Sequence, residues 1–211
     1  MISYPKIETL FVRNDKTHKL IIPLKLRQPV YGTIKSWIVT EKIDGTNIRV
    51  ESRPDGTVTM NGRSDNAQLP ADFVRYIYET FTNERLDLVR TDPEPTIVLF
   101  GEGYGAGIQK GGGYRQDKSF ILFDVAVVLD DKVWWQSDDV VTDFANKLRI
   151  DRVPIIGQLT LDEITEMVRF GFDSKLANAT CRAEGIVGRP LEPLYDRRGN
   201  RLILKLKTKD F

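Results

Sequence analysis

The sequence predicts an α+β fold of antiparallel sheets flanked by helices, and three observations carry that expectation. Short runs of β-branched and aromatic residues are separated by turn residues, above all Arg53-Pro54-Asp55-Gly56, which reads as a hairpin turn. After Pro70 the apolar residues change period, with Phe73, Val74, Ile77 and Phe81 recurring at helical spacing. Two more helix starts follow, at Ser137 and at the Thr160/Glu163 capping box. With 211 residues and 41% hydrophobic content the chain can close a real core, and a single domain over residues 1–211 is expected.

The elements follow in order. Residues 1–30 carry breakers at Pro5, Pro23 and Pro29 and read as irregular, with one or two short strands at Leu10-Phe11-Val12 and Leu20-Ile21-Ile22. Trp37 to Glu41, Thr46 to Ser52 and Thr57 to Gly62 read as an antiparallel meander. A helix is expected over Ala71 to Asn83, then a short strand from Thr96 to Phe100 that ends on a glycine-rich loop. That loop has neither the P-loop spacing nor the dinucleotide pattern, so it is no phosphate cradle of either kind. Ser119 to Val128 is a long apolar strand, turned by Asp130-Asp131 into Val133-Trp134-Trp135. Ser137 is expected to cap a helix with Val140, Val141, Phe144 and Leu148 on one face, and the next helix stops at Gly171. Strands at Ala183 to Pro190 and Leu202 to Lys209 complete the chain.

Charge and rare residues exclude several functions. There are 31 Lys+Arg against 30 Asp+Glu, so no global field advertises a polyanion. The distribution is uneven. Residues 182–211 hold eight bases against four acids, whereas residues 128–173 hold ten acids against five bases and read as a solvated acidic face. One cysteine, Cys181, and one histidine, His18, exclude a disulfide framework and a Cys/His zinc site. Cys181 is expected to be buried and inert. A catalytic metal would be hard and oxygen-bound, hence Mg2+ or Mn2+. No apolar run reaches the ~18 residues of a membrane span. The first residues lack a signal-peptide core, so a cytoplasmic protein is expected.

The chemistry centres on Glu41-Lys-Ile-Asp-Gly-Thr-Asn47. A lysine attacks only as the neutral amine, so a catalytic Lys42 needs burial or neighbouring cations; otherwise it is a solvated strand-edge lysine beside an ordinary Asp44-Gly45 turn. Glu102 and Glu184 each sit at the mouth of a strand. Leu202, Leu204 and Leu206 share one strand face, and Ile203, Lys205 and Lys207 the other. The two lysines either face solvent or form a two-point anion clamp.

Taken in order, these pieces resemble the covalent nucleotidyltransferases. Within them the resemblance is to the phage nick-sealing RNA ligases, related to the kinetoplastid RNA-editing ligases. The matching stretches are residues 41–47, Gly62-Arg63-Ser64, Phe100-Gly101-Glu102 with Gly107-Ile108-Gln109-Lys110, Asp117 to Val125, Ala183 to Val187 and Gly199 to Lys207. The resemblance implies a ligase catalytic domain of ATP-grasp-like type, with the nucleotide cleft between its sheets. Lys42 would hold AMP from ATP as a lysyl phosphoamide. The AMP would pass to the 5′-phosphate of an RNA strand, and a 3′-hydroxyl would displace it, within a nicked duplex in the family's manner. Lys205 and Lys207 would stabilise the phosphoryl oxygens. Glu41, Asn47, Arg63 and Glu102 would bind the nucleotide, Phe120 would stack on adenine, and Glu184 with Asp44 would position the metal.

Two departures matter. The nick-sealing phage members carry histidine where this chain has Asp44, as most of the wider superfamily does. The chain ends four residues after Lys207, so no appended small barrel is expected, which argues against a DNA nick ligase or a GTP-using capping transferase. A nucleotide- or RNA-binding module without turnover is the reading from another class. Retention of Lys42 speaks against it. The basic region 182–209 is the expected site of substrate phosphate contacts.

Overall fold

Period-two alternation builds two sheets, each with its own core. The computed structural model describes residues 2–62, 69–109, 113–177 and 181–211. In chain order the strands are β1 (Glu8–Thr9), β2 (Trp37–Glu41), β3 (Thr46–Ser52), β4 (Val58–Gly62), β5 (Thr96–Tyr104) and β6 (Ser119–Leu129). They continue with β7 (Lys132–Trp135), β8 (Asp151–Arg152), β9 (Ile155–Leu159), β10 (Gly185–Arg189) and β11 (Leu204–Lys207). The α-helices are α1 (Ala71–Thr80), α2 (Asn83–Asp87), α3 (Asp138–Leu148) and α4 (Leu161–Phe170). The chain divides into two compact units, Met1–Tyr4 with Asp44–Arg152 and Pro5–Ile43 with Val153–Phe211. The division falls inside the Lys42 motif, between Ile43 and Asp44.

In the unit that contains Asp44–Arg152 the strand order is β4-β3-β5-β6-β7, all antiparallel, with β8 joining β6 in parallel. Ile48, Val50, Leu99, Phe120 and Leu122 pack one sheet face against Phe73 and Ile77 of α1 and Val141 and Phe144 of α3. Val98, Phe100 and Ala126 pack on the other face with Tyr4 and Trp135. In the unit that contains Val153–Phe211 the order is β1-β11-β10-β2-β9. Trp37, Val39, Ile186, Leu204 and Leu206 bury one face of that sheet against Ile164 and Val168 of α4. Deleting such a side chain to alanine costs about 2–5 kcal/mol, so the register of β11, and with it which face its lysines occupy, is firmly set.

Several elements differ from the expectation for physical reasons. The helix expected over residues 71–83 ends at Thr80, because Thr82 accepts a hydrogen bond from the Arg85 amide and caps a second helix. The strand expected to end at Phe100 continues to Tyr104. Its glycines read as loop residues but serve close packing: a Cβ on Gly101 would lie 2.2 Å from the Phe120 ring. Glu102 is therefore inside a strand. Ser137 occupies the cap position of α3, yet its hydroxyl bonds Asp139 and not the helix backbone. The Thr160/Glu163 capping box of α4 forms as read, and Gly171 follows its end. Cys181 is half-buried, not sealed in a core.

Candidate active site

Lys42 directly follows β2, and its amide continues the ladder by donating to the Gly185 carbonyl at 2.9 Å. Its Nζ donates to Glu184 Oε2 at 2.6 Å and lies 3.4 Å from the Ile43 carbonyl oxygen. Lys207 Nζ donates to the other oxygen of the same carboxylate. These side chains are 21%, 15% and 19% exposed for Lys42, Glu184 and Lys207. Two ammonium groups thus share one carboxylate in a partly desolvated place, which leaves positive charge to be matched by an anion. Burial pushes the Glu184 carboxyl up, but the Lys42 charge and hydrogen bonds from Lys207 and Lys42 outweigh it and hold the group below its ordinary value. It is a carboxylate at neutral pH.

The sequence builds this cluster through backbone fit. Gly185 pairs with Lys207, and a Cβ there would lie 2.2 Å from the Leu206 carbonyl oxygen, so only glycine lets β10 approach and brings Glu184 beside Lys207. Asp210, buried, accepts from the Lys207 amide at 2.9 Å and forms an ion pair with Arg13. Lys205 is opposite Val187 and Arg189 lies two residues further along β10, so both share the Lys207 face. Sequence reading assigned no role to Asp210 and placed Arg189 only within the basic region 182–209. Arg189 could have been found from the alternation that begins at Val187.

Glu41 differs from the expected nucleotide contact. It is 1% exposed, accepts from the Ser174 hydroxyl at 2.5 Å and from the Lys175 amide at 2.8 Å, and shares the core face with Trp37 and Val39. Both its oxygens are engaged. Adjacent residues of an extended chain point to opposite faces, so Glu41 and Lys42 cannot serve one site in the same way.

In the other unit Asn47 pairs with Glu102 across β3 and β5. Their neighbours Ile48 and Gly103 face the core, where a Cβ on Gly103 would meet Phe73, so Asn47 and Glu102 share the opposite face. Gly45 lies against them: its Cβ would be 2.3 Å from the Gly103 carbonyl oxygen and 2.7 Å from Glu102 Cγ. The Asp44 amide donates to the Tyr114 hydroxyl at 3.3 Å, a contact from a loop residue that the sequence did not flag. Arg63 lies outside the described residues.

Phe120 does not fit the stacking role expected for it. It is fully buried and meets Phe81 edge-on, with centroids 5.1 Å apart. The residue opposite Glu102 is Ile121, so the sheet face that carries Glu102 carries Ile121 and not Phe120. Phe120-Ile-Leu-Phe123 is apolar throughout, and such a run does not reveal which side each residue takes.

The donor set limits how a metal could bind. Among the described residues no group of three or more His, Cys, Asp or Glu side chains gathers. The described residues therefore build no cage of their own. A lone carboxylate such as Glu184 fits a hard cation that takes its other ligands from phosphate oxygens and water. No helix among the described residues is long and apolar enough to cross a membrane.

Comparison with known proteins gives consistent results. A family model described as RNA ligase matches residues 35–207. Among solved structures, a Naegleria gruberi RNA ligase mutant with AMP and Mn is 19% identical with a TM-score of 0.67, over 99% of this chain and 56% of that one. A second mutant of that ligase, with ATP and Mn, is 19% identical with a TM-score of 0.63, over 100% of this chain and 63% of that one. The same ligase with PPi is 19% identical with a TM-score of 0.63, over 98% and 62%. This chain therefore has the fold of those proteins and spans about three fifths of their length.

Proposed function

Because this chain belongs to the RNA ligase family, we propose that it carries the adenylylating centre of an ATP-dependent RNA ligase, of the type that seals nicks. The single observation that carries the reading is Lys42 held against Glu184, with Lys207 on the second oxygen. The Lys42 ammonium must first give up a proton to solvent, a loss favoured by the second ammonium group, Lys207, on the same carboxylate. The amine then attacks the α-phosphorus of ATP. The N–P bond forms as the α–β P–O bond breaks, pyrophosphate leaves, and the nitrogen's second proton passes to solvent.

Lys207 and Lys205 are suited to stabilise charge on the phosphoryl oxygens, since the cluster already holds more positive than negative charge. Asn47 and Glu102 supply an amide and a carboxylate for the ribose, and Arg63 a phosphate contact. Glu184, with Asp44, is the carboxylate that would hold Mg2+ or Mn2+. Such a cation neutralises charge on the phosphates when bound. AMP then passes to the 5′-phosphate of RNA, forming a pyrophosphate linkage, and a 3′-hydroxyl displaces it to form the phosphodiester. A cytoplasmic setting belongs to this reading.

The test offers the protein α-labelled ATP or α-labelled GTP with magnesium, followed by a nicked duplex with RNA or DNA on the 3′-hydroxyl side. Label from ATP and sealing of the RNA-containing nick are expected. Label from GTP alone would move the reading to capping chemistry, and label from neither would leave a binding module.

A further inference from the structure

Outside the lysine cluster, the basic side chains that stand out are on the connection from β10 to β11. The chain leaves β10 at Arg189 and returns at Leu204. Between them Tyr195 and Arg201 form an antiparallel bridge, and the Leu202 amide donates to the Leu194 carbonyl at 2.8 Å. At the tip the Asp196 amide donates to the Asn200 carbonyl at 2.8 Å, and Gly199 turns the chain at φ +78°. The Asp196 carboxylate accepts from the amides of Arg198 and Asn200, each at 2.8 Å, and from Asn200 Nδ2 at 3.0 Å. The tip is therefore a built turn, and its nearest acid is used up in holding it together. It presents Arg197 and Arg198 to solvent, with Tyr195 47% exposed beside them and Glu192 as the other acid.

Exposed arginines beside an exposed aromatic are what an RNA strand recognises, phosphates on the guanidinium groups and a base face on the ring. The position adds to this. Glu184 and Lys207 lie at one end of the β10–β11 pair and the connection at the other, roughly 15 Å away at ~3.3 Å per residue. We infer that this hairpin, through Arg197, Arg198 and Tyr195, grips the RNA strand a short distance from its reacting end. The inference rests on the proposed ligase function and names how its substrate is held.

The test measures binding of a fluorescent 5′-phosphorylated nicked RNA duplex to the full chain across a salt series. Replacing both arginines (R197A with R198A) is expected to weaken binding about tenfold at low salt and to flatten the log–log salt slope by about 1.5. The paired R197K and R198K change keeps the slope, and Y195A weakens binding about fivefold with the slope retained. An R197Q and R198Q pair repeats the test if the alanine pair melts below the parent. Affinity and slope equal to the parent in either neutral pair would overturn the inference. Labelling of Lys42 by ATP is read separately in the parent, so failure of the adenylylation proposal and failure of the hairpin proposal give different results.

Discussion

Two charge clusters, one in each unit, are built in different ways. In β3, Arg49 Nε and Glu51 Oε1 lie 2.8 Å apart with both side chains 5% exposed, and Arg53 reaches the same carboxylate only from an exposed position at 3.7 Å. There one buried guanidinium faces one buried carboxylate, and Arg49 also donates to the Ile2 carbonyl at 2.5 Å. Around Glu184, by contrast, two partly buried ammonium groups share one carboxylate. A matched buried pair balances its own charge. An unmatched one keeps positive charge that the triphosphate of the proposed reaction would offset.

The largest expected effect comes from breaking the unmatched cluster. Lys207→Met should lower the rate of AMP transfer to the protein by about 10²–10³-fold, measured as single-turnover labelling, because one stabilising cation on the phosphoryl oxygens is lost. Breaking the matched pair should act on stability. Glu51→Gln removes the carboxylate charge that faces the buried Arg49 guanidinium and should cost about 3 kcal/mol in denaturant unfolding, with labelling per folded molecule close to the parent's. Comparable losses of labelling from both variants would remove the distinction.

Much of the fold was legible because turn residues and alternation agree. The bounds of β2 and β3 match the expected 37–41 and 46–52, since turn residues such as Gly45 and Pro54 lie close to their ends. β5 was underread because Gly101 and Gly103 look like loop residues, while in the fold they make room for the rings of Phe120 and Phe73. The charged part of the site was legible because Lys42, Glu184 and Lys207 are polar in apolar surroundings. Phe120 was not, since a wholly apolar strand hides its faces. Glu41 was misleading because its neighbour in sequence points the other way.

Smaller effects sharpen the same picture. Phe120→Leu should lower stability by about 1 kcal/mol and leave the KM for ATP unchanged, as expected of a core ring. A large rise in that KM, with the melting temperature unmoved, would return Phe120 to the nucleotide. The smallest effect is on pH dependence. The Glu184 carboxyl titrates lower in the folded chain than in the unfolded one. Its contribution to stability is therefore present above the unfolded value of about 4.5 and is lost as the pH falls through the folded value. Relative to Glu184→Gln, the parent's melting temperature should fall more steeply below that pH, and parallel profiles would show that the pairing contributes no such linkage.

The most direct measurement of the central claim is where AMP attaches. After incubation with ATP and magnesium, peptide mass mapping of the denatured protein should find one AMP on Lys42, and Lys42→Arg, which keeps a cation beside Glu184, should carry none. AMP on another residue, or undiminished AMP on the Lys42→Arg protein, would contradict the account.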